Sequence, residues 1–368
     1  MSHDVFLKNW VLLQTRTATD QFIAINKSNG QAWSFRSDNP RGEGWFHWLV
    51  VPTPDGKRYW LFNRLAQEGS GECLALPQGM NVFGQWKFIG EPRQTFEIRR
   101  RDDGSVTLIC EENHEALSTR WDQPTFTWGY TPDDDQQKLG IVAAEPLDLP
   151  ALPEIEGDPG ALDRDLLRVD SFEGSVVEET PQRVVGAELI AFTGVDDGRP
   201  IGDRMNDSPY YLLIRENYWT LSFDEEYSGA GENEKTFEWE VGVKTTSETS
   251  LEETVNIQVG VDAAYKRGDK SGPGWEAGIS VSYRHGKTWR RTDSIERYDG
   301  QRGKSVRRFR EGKRVRVACW HLVNLYTLRH RTGEIVGQIA SIEPAIAVER
   351  AYPPADAPKD VSTSFAAR

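Results

Sequence analysis

Apolar and polar residues alternate along two long stretches of this chain, between residues 236 and 298. Apolar residues occupy the odd positions of residues 255–265 and 275–283, and most even positions there are polar. A short polar loop at residues 266–274 separates the two stretches. Because successive side chains of a β-strand point to opposite faces, this period of two predicts a hairpin with one apolar and one polar face. Pairing the arms about Lys270 makes their apolar faces coincide.

The length of this hairpin bears on two interpretations. An ordinary surface hairpin of a β-sandwich alternates in the same way, so the pattern alone leaves that interpretation open. The apolar band at residues 255–265 has 11 residues, close to the roughly 9–11 that a tilted strand needs to cross a bilayer core. The alternation also exceeds an ordinary strand of about 5–6 residues. Length therefore favours a hairpin that inserts into a membrane.

The first 142 residues repeat themselves about every 45–50 positions. The units begin near residues 10, 59 and 106, and each contains four short apolar stretches separated by turn residues. The third stretch of each unit ends in a tryptophan, at Trp33, Trp86 or Trp128. This repetition predicts twelve short strands with threefold pseudosymmetry.

The motifs GQAW and FGQW, which end at Trp33 and Trp86, give this segment its resemblance to β-trefoils of the ricin-B lectin type. That family carries a Gln-x-Trp element there, whose tryptophan is mainly a core residue, so the resemblance implies structural roles for Trp33, Trp86 and Trp128. A sugar site needs an aromatic platform beside an Asp or Asn side chain. The predicted glycan-binding residues are Trp121, Asp122, Asn39 and Trp45, and surface tryptophans that bind no ligand are the alternative.

Composition places the domain boundaries. Residues 143–182 hold 2 Lys/Arg and 11 Asp/Glu and are rich in Pro, which predicts an acidic, extended linker between residues 1–142 and 183–350. Residues 351–368 have the composition of a disordered tail. Eight Lys/Arg occur among residues 302–316. They could meet anionic headgroups, and the alternatives are alternating charges on solvated strands or partners for the acidic linker.

The second half, residues 180–350, resembles the aerolysin-like β-pore-forming toxins of the epsilon-toxin and mosquitocidal-toxin branch. The aromatic-led strand TFEWEVGVKT at residues 236–245, the alternating hairpin and its descending arm carry the resemblance. The expected fold is therefore all-β, with an N-terminal β-trefoil followed by an elongated aerolysin-like antiparallel sheet module. The resemblance implies that the trefoil binds a cell-surface glycan or glycolipid. The protein would then form a homo-oligomer in the target membrane, where each subunit contributes its hairpin to one closed barrel.

The resemblance also implies roles for particular residues. The residues expected to face lipid are Val255, Ile257, Val259, Val261, Tyr265, Trp275, Ile279, Val281 and Tyr283. The residues expected to line the pore lumen are Glu248, Glu252, Asp262, Glu276 and Arg284. Many relatives are activated by proteolysis, and Arg350, just before a Pro-rich segment, is the candidate processing site.

Composition narrows the function classes. The net charge of −13 disfavours nucleic acid as a partner. The three cysteines are dispersed without metal-binding spacing, which predicts buried free thiols, no metal and no cofactor. No hydrolase or phosphate-binding motif occurs, so we expect no enzyme. No signal peptide is visible, which predicts a soluble protein that is cytoplasmic until release by lysis or non-classical export.

Two functions remain in competition. The first is a β-pore-forming toxin or defence protein that is directed to cells by its trefoil. The alternative is a non-lytic, multimeric trefoil agglutinin, in which the second half serves only for oligomerisation.

Overall fold

Twelve short strands form the first part of the molecule. A computed structural model describes residues 8–53, 57–65, 72–120, 123–158, 160–228, 234–241, 289–290, 301–309, 312–354, 357 and 359–366. The twelve strands are β1 (Asn9–Thr15), β2 (Gln21–Ile25), β3 (Ala32–Arg36), β4 (Trp48–Pro52), β5 (Tyr59–Asn63), β6 (Glu72–Ala75), β7 (Gly84–Lys87), β8 (Phe96–Arg100), β9 (Val106–Cys110), β10 (Ala116–Ser118), β11 (Phe126–Trp128) and β12 (Leu139–Pro146).

Six of these strands close into a barrel. Each of β1, β4, β5, β8, β9 and β12 pairs with the next strand in that order, and β12 returns to pair with β1. The other six form the hairpins β2–β3, β6–β7 and β10–β11, one in each unit. A barrel of six strands with three hairpins is a β-trefoil, so the predicted twelve strands and threefold pseudosymmetry are confirmed.

A ring of three backbone hydrogen bonds joins the hairpins. The amide of Ala32 donates to the carbonyl of Phe83 (3.0 Å), Phe83 donates to Thr125 (3.0 Å), and Thr125 donates to Ala32 (2.7 Å). This ring defines equivalent positions in the three units. The adjoining trefoil core contains buried apolar side chains from all three units, among them Ile23, Leu74, Leu117, Val50, Leu61, Phe96 and Leu108.

The second module is built on long strands. Its elements are β13 (Arg183–Ala191), β14 (Val195–Asp196), α1 (Ile201–Asp207), β15 (Tyr210–Ser228), β16 (Glu234–Val241), β17 (Trp289–Arg290), β18 (Gln301–Arg308), β19 (Arg314–Arg329), β20 (Ile335–Tyr352) and β21 (Lys359–Ala366). An antiparallel sheet has the order β13–β15–β19–β20, and a smaller antiparallel sheet has the order β16–β18–β21. The expected all-β fold, a trefoil followed by an aerolysin-like sheet module, is confirmed. Within the described residues, no helix is long and apolar enough to cross a membrane.

The two modules share an apolar cluster at their junction. Phe62 of the trefoil meets Phe192 of the second module with ring centroids 4.9 Å apart. Trp10 and Leu49 from one side and Met205 from the other are buried in the same cluster. The junction is therefore a packed interface, since burial of aromatic and aliphatic side chains there stabilises both modules together.

The acidic segment that was predicted to be a linker packs on the second module. Strand β12 ends at Pro146, and the next strand begins at Arg183. The described residues between them form a short 3-10 turn at Arg164–Leu166 and no strand. Leu167 and Val169 are nevertheless buried against Trp219 and Trp320. The indole N–H of Trp320 donates to the carbonyl of Val177 (2.7 Å). Residues 147–182 thus cover one part of the long sheet.

The prediction of a disordered tail is wrong for residues 359–366. These residues form β21, which pairs antiparallel with β18 from Arg302↔Ala366 to Arg308↔Lys359. The sequence KDVSTSFA places Val361, Thr363 and Phe365 at alternate positions, a period that suits a strand. The Pro-rich residues before it dominate the composition and hide this signal. The boundary at residue 350 also falls inside β20.

Candidate functional site

The two ends of the predicted hairpin meet in one sheet. Strand β16 leads into residues 242–300 and β18 leads out of them, and the two strands pair antiparallel from Glu234↔Arg308 to Val241↔Gln301. Such pairing is what a hairpin requires at its base. All nine predicted lipid-facing residues, from Val255 to Tyr283, and all five predicted lumen residues, from Glu248 to Arg284, lie outside the described residues.

At this base, odd-numbered residues of β16 pair with odd-numbered residues of β18, as the alternating pattern predicts for the two arms. Pairing about Lys270 predicts that Val241 lies opposite Asp299, whereas its observed partner is Gln301. The difference is two residues, and a shift of two leaves every side chain on the same face because the side-chain period is two. The observed base is therefore compatible with coinciding apolar faces in the arms.

One part of the descending arm contacts the body of the protein. Within residues 242–300 the structure describes β17, which pairs parallel with β14 through Val195↔Trp289 and Asp196↔Arg290. Val195 is fully buried in the junction cluster. This pairing joins the descending arm to the region where the trefoil and the second module meet.

A network of ion pairs around the buried carboxylate of Asp197 supports the chain beside β14. The carboxylate of Asp197 is 2% exposed and accepts hydrogen bonds from Arg199 Nη2 (2.5 Å) and Tyr211 Oη (2.7 Å). Burial alone would raise the pKa of Asp197, but the hydrogen bonds from Arg199 and Tyr211 hold that pKa below its usual value. Arg199 also pairs with Asp207 (2.8 Å), and Arg331 links Asp207 to the segment after the trefoil. Such paired, hydrogen-bonded charges fix the geometry of this anchor for β17.

The trefoil has a surface pocket of about 410 Å³ between its first and second units. The pocket is lined by Ile25, Asn26, Lys27, Ser28, Asn29, Gly30, Trp45, Asn63, Leu65 and Gln85. The ammonium of Lys27 lies 5.5 Å from the ring centroid of Trp45. Buried Asn63 donates from Nδ2 to the carbonyl of Trp45 (2.9 Å) and so fixes the backbone under that ring. An aromatic face beside amides and a cation can bind a polar ligand such as a sugar.

Of the four predicted glycan-binding residues, one lines this pocket. Trp121 and Asp122 lie outside the described residues. Trp45 lines the pocket, but Asn39 does not, because its side chain closes its own turn by accepting from the amide of Gly42 (3.3 Å). The polar partners near Trp45 come instead from the turn at residues 26–30, which the sequence marks only by its content of Asn, Ser and Gly.

The three motif tryptophans are not core residues. Trp86 and Trp128 are 49% and 60% exposed, and Trp33 is half-buried. In the first unit the core position of the hydrogen-bonded ring belongs to Ala32. Trp86 and Trp128 each lie three residues after their ring residue, and the residue three after Ala32 is Phe35. Phe35 is therefore their equivalent in the first unit. Alignment on the Gln-x-Trp motif selects Trp33 instead, two residues too early. Alternation then turns all of these aromatic side chains away from the core.

The predicted processing site lies within a strand. Arg350 is exposed but belongs to β20, where it pairs with Ala318. The basic residues nearby are ion-paired with neighbouring strands: Arg307–Glu349, Arg308–Glu234, Arg314–Glu226 and Arg316–Asp224. These four carboxylates lie on β15, β16 and β20, so they are strand residues of the second module and do not belong to the acidic segment.

The cysteines are buried free thiols, as predicted. Burial raises the pKa of Cys110 to about 11 and that of Cys319 to about 12. These two thiols therefore stay protonated and unreactive near neutral pH. Among the described residues, no group of His, Cys, Asp and Glu side chains has an arrangement that could hold a metal ion.

Comparison with known proteins identifies the class of protein that this chain resembles. Residues 183–354, from β13 through β20, match the model of the family described as Insecticidal Crystal Toxin, P42. The match covers the long-stranded sheet and both strands at the base of the predicted hairpin.

The chain is also similar to individual proteins and to a solved structure. The chain is 29% identical over 233 residues to a Binary larvicide subunit BinA of Lysinibacillus sphaericus, and 28% identical over 234 residues to a second such subunit. Each match covers 61% of this chain and 59% of the relative. The crystal structure of Cry35Ab1 superposes with a TM-score of 0.65 at 13% identity, covering 95% of this chain and 91% of that one. At this identity the superposition shows a shared fold.

Proposed function

We propose that this protein is a β-pore-forming toxin. Its trefoil binds a receptor on the target cell, the protein oligomerises, and residues 236–298 of each subunit enter the membrane as part of one closed barrel. The observation that carries the proposal is the paired base of the hairpin, at Val241↔Gln301. The protein acts by binding and insertion, without catalysis, after release from the producing cell by lysis or non-classical export.

The hairpin has the chemistry that a barrel wall requires. Only helices and closed barrels satisfy all backbone hydrogen-bonding groups in lipid. A ring of hairpins has no free edge, because each hairpin pairs with the next. The alternating residues 255–265 and 275–283 would place apolar side chains toward lipid. The acidic even positions, such as Glu252 and Asp262, would face water in the lumen and give mild cation preference.

The receptor site is the pocket beside Trp45. Its ring would stack on the apolar face of a sugar, while Lys27 and the amides of the turn at residues 26–30 would meet hydroxyl or acidic groups. A cell-surface glycan or glycolipid is therefore the proposed receptor class.

The names of similar proteins suggest a target and a partner. The relatives are described as insecticidal toxins and as subunits of a binary larvicide. Insect cells are accordingly the proposed target. A second polypeptide is a proposed component of the active complex, beside further copies of this chain.

Two engineered disulfides test the hairpin mechanism. The pair D196C/R290C would lock β17 to β14 and hold the descending arm on the body of the protein. The pair T236C/V306C would join the base of the hairpin, where the two arms stay neighbours before and after insertion. The measurement is dye release from vesicles made of insect cell membrane lipids and glycoproteins.

We expect D196C/R290C to abolish dye release under oxidising conditions and to regain it on reduction. The control T236C/V306C should release dye in both conditions. Equal release by oxidised D196C/R290C and wild type would contradict movement of this arm. Agglutination of glycan-bearing vesicles without release, in assays with and without added partner subunit, would favour the non-lytic agglutinin instead.

A further inference from the structure

The outward face of the three trefoil hairpins is unusually aromatic. Trp33, Phe126 and Val82 lie where the hairpins meet, and Trp86, Trp128 and Met80 lie farther out. We call these six residues the cap face. They are distinct from the pocket beside Trp45, which none of them lines.

Backbone pairing brings the members of the cap face together. Trp33 is opposite Pro124, so Phe126 is its diagonal neighbour on the same face. Phe126 is in turn opposite Val82. The amide of Thr127 donates to the carbonyl of Asn81 (2.8 Å), which continues this pairing and places Met80 beside Trp128. The apolar side chains thus follow one another across the hairpins.

The cap face is exposed to solvent. Trp128 is 60% exposed, Met80 is 59% exposed and Trp86 is 49% exposed. Large apolar side chains that cluster on a surface mark a place of contact with another molecule. The hydrogen-bonded ring at Ala32, Phe83 and Thr125 lies directly beneath and holds the three hairpins in a fixed relation.

The charges around the cap face have one predominant sign. The three hairpin segments, residues 26–35, 77–87 and 119–128, contain Lys27, Lys87 and Arg120 but one acidic residue, Asp122. The Arg120 guanidinium lies 4.9 Å from the ring centroid of Phe126. By contrast, the chain as a whole carries a net charge of −13. A cationic, aromatic surface on an acidic protein is complementary to an anionic partner.

We propose that the cap face is a docking surface for an anionic lipid bilayer. Trp and Met side chains partition into the region between headgroups and acyl chains, and Lys and Arg bind lipid phosphates and carboxylates there. A sugar platform would instead need fixed polar acceptors beside each ring. The neighbour of Trp128 is Met80, whose thioether is not such an acceptor. Lipid therefore matches this chemistry better than a glycan does.

This role goes beyond pore formation, because it concerns the trefoil and needs no hairpin movement. Contact at the cap face would hold a monomer on the membrane surface whether or not residues 236–298 insert. Docking and insertion can therefore fail separately.

Vesicle sedimentation of the full chain tests the proposal. The probes are vesicles of phosphatidylcholine alone and of phosphatidylcholine mixed with phosphatidylserine, both free of glycolipid and protein. We expect binding to the mixed vesicles that weakens as salt is added. In W86A/W128A the partition coefficient should fall at least about tenfold, because burial of two half-exposed indoles is lost. K87Q/R120Q should weaken binding to the mixed vesicles and leave binding to phosphatidylcholine alone unchanged.

A matched control removes exposed apolar surface elsewhere. Leu152 and Ile335 are 38% and 46% exposed and lie outside the trefoil, so L152S/I335S should bind vesicles as wild type does. Circular dichroism and the melting temperature verify that each variant is folded, and W128S alone replaces the double variant if that one is unstable. Wild-type protein that does not bind the mixed vesicles, or W86A/W128A that binds them normally, would overturn the proposal.

Loss of binding to immobilised glycans by W86A/W128A, with vesicle binding intact, would make the cap face a sugar site. Dye release is measured in parallel. Normal binding to the mixed vesicles, together with no dye release from vesicles that carry insect membrane glycoproteins, would leave the lipid-docking surface standing and count against the pore.

Discussion

The trefoil and the four-stranded sheet bury their apolar residues in opposite ways. Trefoil strands are 3 to 8 residues long, and their barrel closes around its own core. Strands β15, β19 and β20 have 19, 16 and 18 residues and form an open sheet. Different parts of the chain cover that sheet. The trefoil packs on the second module near Phe192, residues 147–182 pack near Trp320, and Phe309 packs on Tyr227. A long sheet of this kind depends on its coverings, whereas the barrel supplies its own.

Two matched tryptophans provide the strongest test of this difference. Trp48 in the trefoil and Trp320 in the sheet are fully buried, and their indole N–H groups donate to Ile23 (2.8 Å) and Val177 (2.7 Å). We expect W48A and W320A each to lower the free energy of unfolding by about 3–5 kcal/mol, measured by urea denaturation. Arg164 and Arg168 are exposed, and W320A should make trypsin cleave after them faster, because residues 147–182 lose an anchor and unfold locally more easily.

Limited proteolysis with mass spectrometry separates the two variants. Cleavage at Arg164 or Arg168 should be faster in W320A than in W48A under native conditions. Equal protection of these sites in both variants would show that residues 147–182 are held by contacts other than Trp320.

Two of the three buried histidines of the described residues, His321 and His47, extend the comparison to pH. His321 on β19 lies 2.5 Å from Ser222 Oγ, and burial lowers its pKa to about 4. The unfolded chain takes up this proton near pH 6.5, so stability should fall as the pH drops from about 6.5 to 4, by up to about 3 kcal/mol, and change no further below that. H321Q should remove most of this dependence, as measured by urea denaturation across the range.

The trefoil offers His47 as the control. Burial and the neighbouring Arg64 lower its pKa, while Glu145 acts in the opposite direction. H47Q should therefore change the pH dependence less than H321Q does. A larger effect of H47Q would mean that the trefoil, and not the long sheet, limits stability in acid.

The smallest expected effect concerns two arginines. Arg316 pairs with Asp224 (2.5 Å) and donates to the carbonyls of Ser171 (3.1 Å) and Phe172 (3.2 Å), which joins the covering segment to β19. R316Q should cost about 1.5–3 kcal/mol of unfolding free energy, because hydrogen bonds to a charged group are lost.

The matched variant is R308Q on β18. Arg308 pairs with Glu234, and both side chains are exposed to solvent. Thermal denaturation of R308Q should match that of wild type, since exposed ion pairs contribute little. A comparable loss in both variants would indicate that the contacts of Arg316 with the covering segment add nothing.

Much of the fold follows from local pattern. The twelve trefoil strands were predictable because each unit repeats short apolar stretches between turn residues. Strand β15 was predictable because it is rich in Leu and aromatic residues, and β19 because it is rich in Val and Leu. The burial of Leu167 and Val169 was not, because two apolar residues in an acidic, Pro-rich segment do not reveal what they pack against. That contact depends on Trp219 and Trp320, far away in the sequence.

The candidate sites also contain some features that follow from local pattern and others that depend on the folded structure. Alternation predicted the parity of the hairpin base, yet the partner of Val241 differs from the predicted one by two residues, since loop length cannot be derived from a period. Trp33 matched the motif, but the hydrogen-bonded ring makes Phe35 the equivalent of Trp86. Asn39 was paired with Trp45 by residue type alone, and its own turn occupies its side chain.

Strand β21 has a consequence for solubility. It covers one edge of β18, and β16 covers the other, so the amides and carbonyls of β18 are paired on both sides. Loss of residues 359–366 would leave a row of unpaired backbone groups on β18, to which a strand of another molecule could add. A short strand far along the sequence thus closes an edge at which β18 could otherwise pair with another molecule.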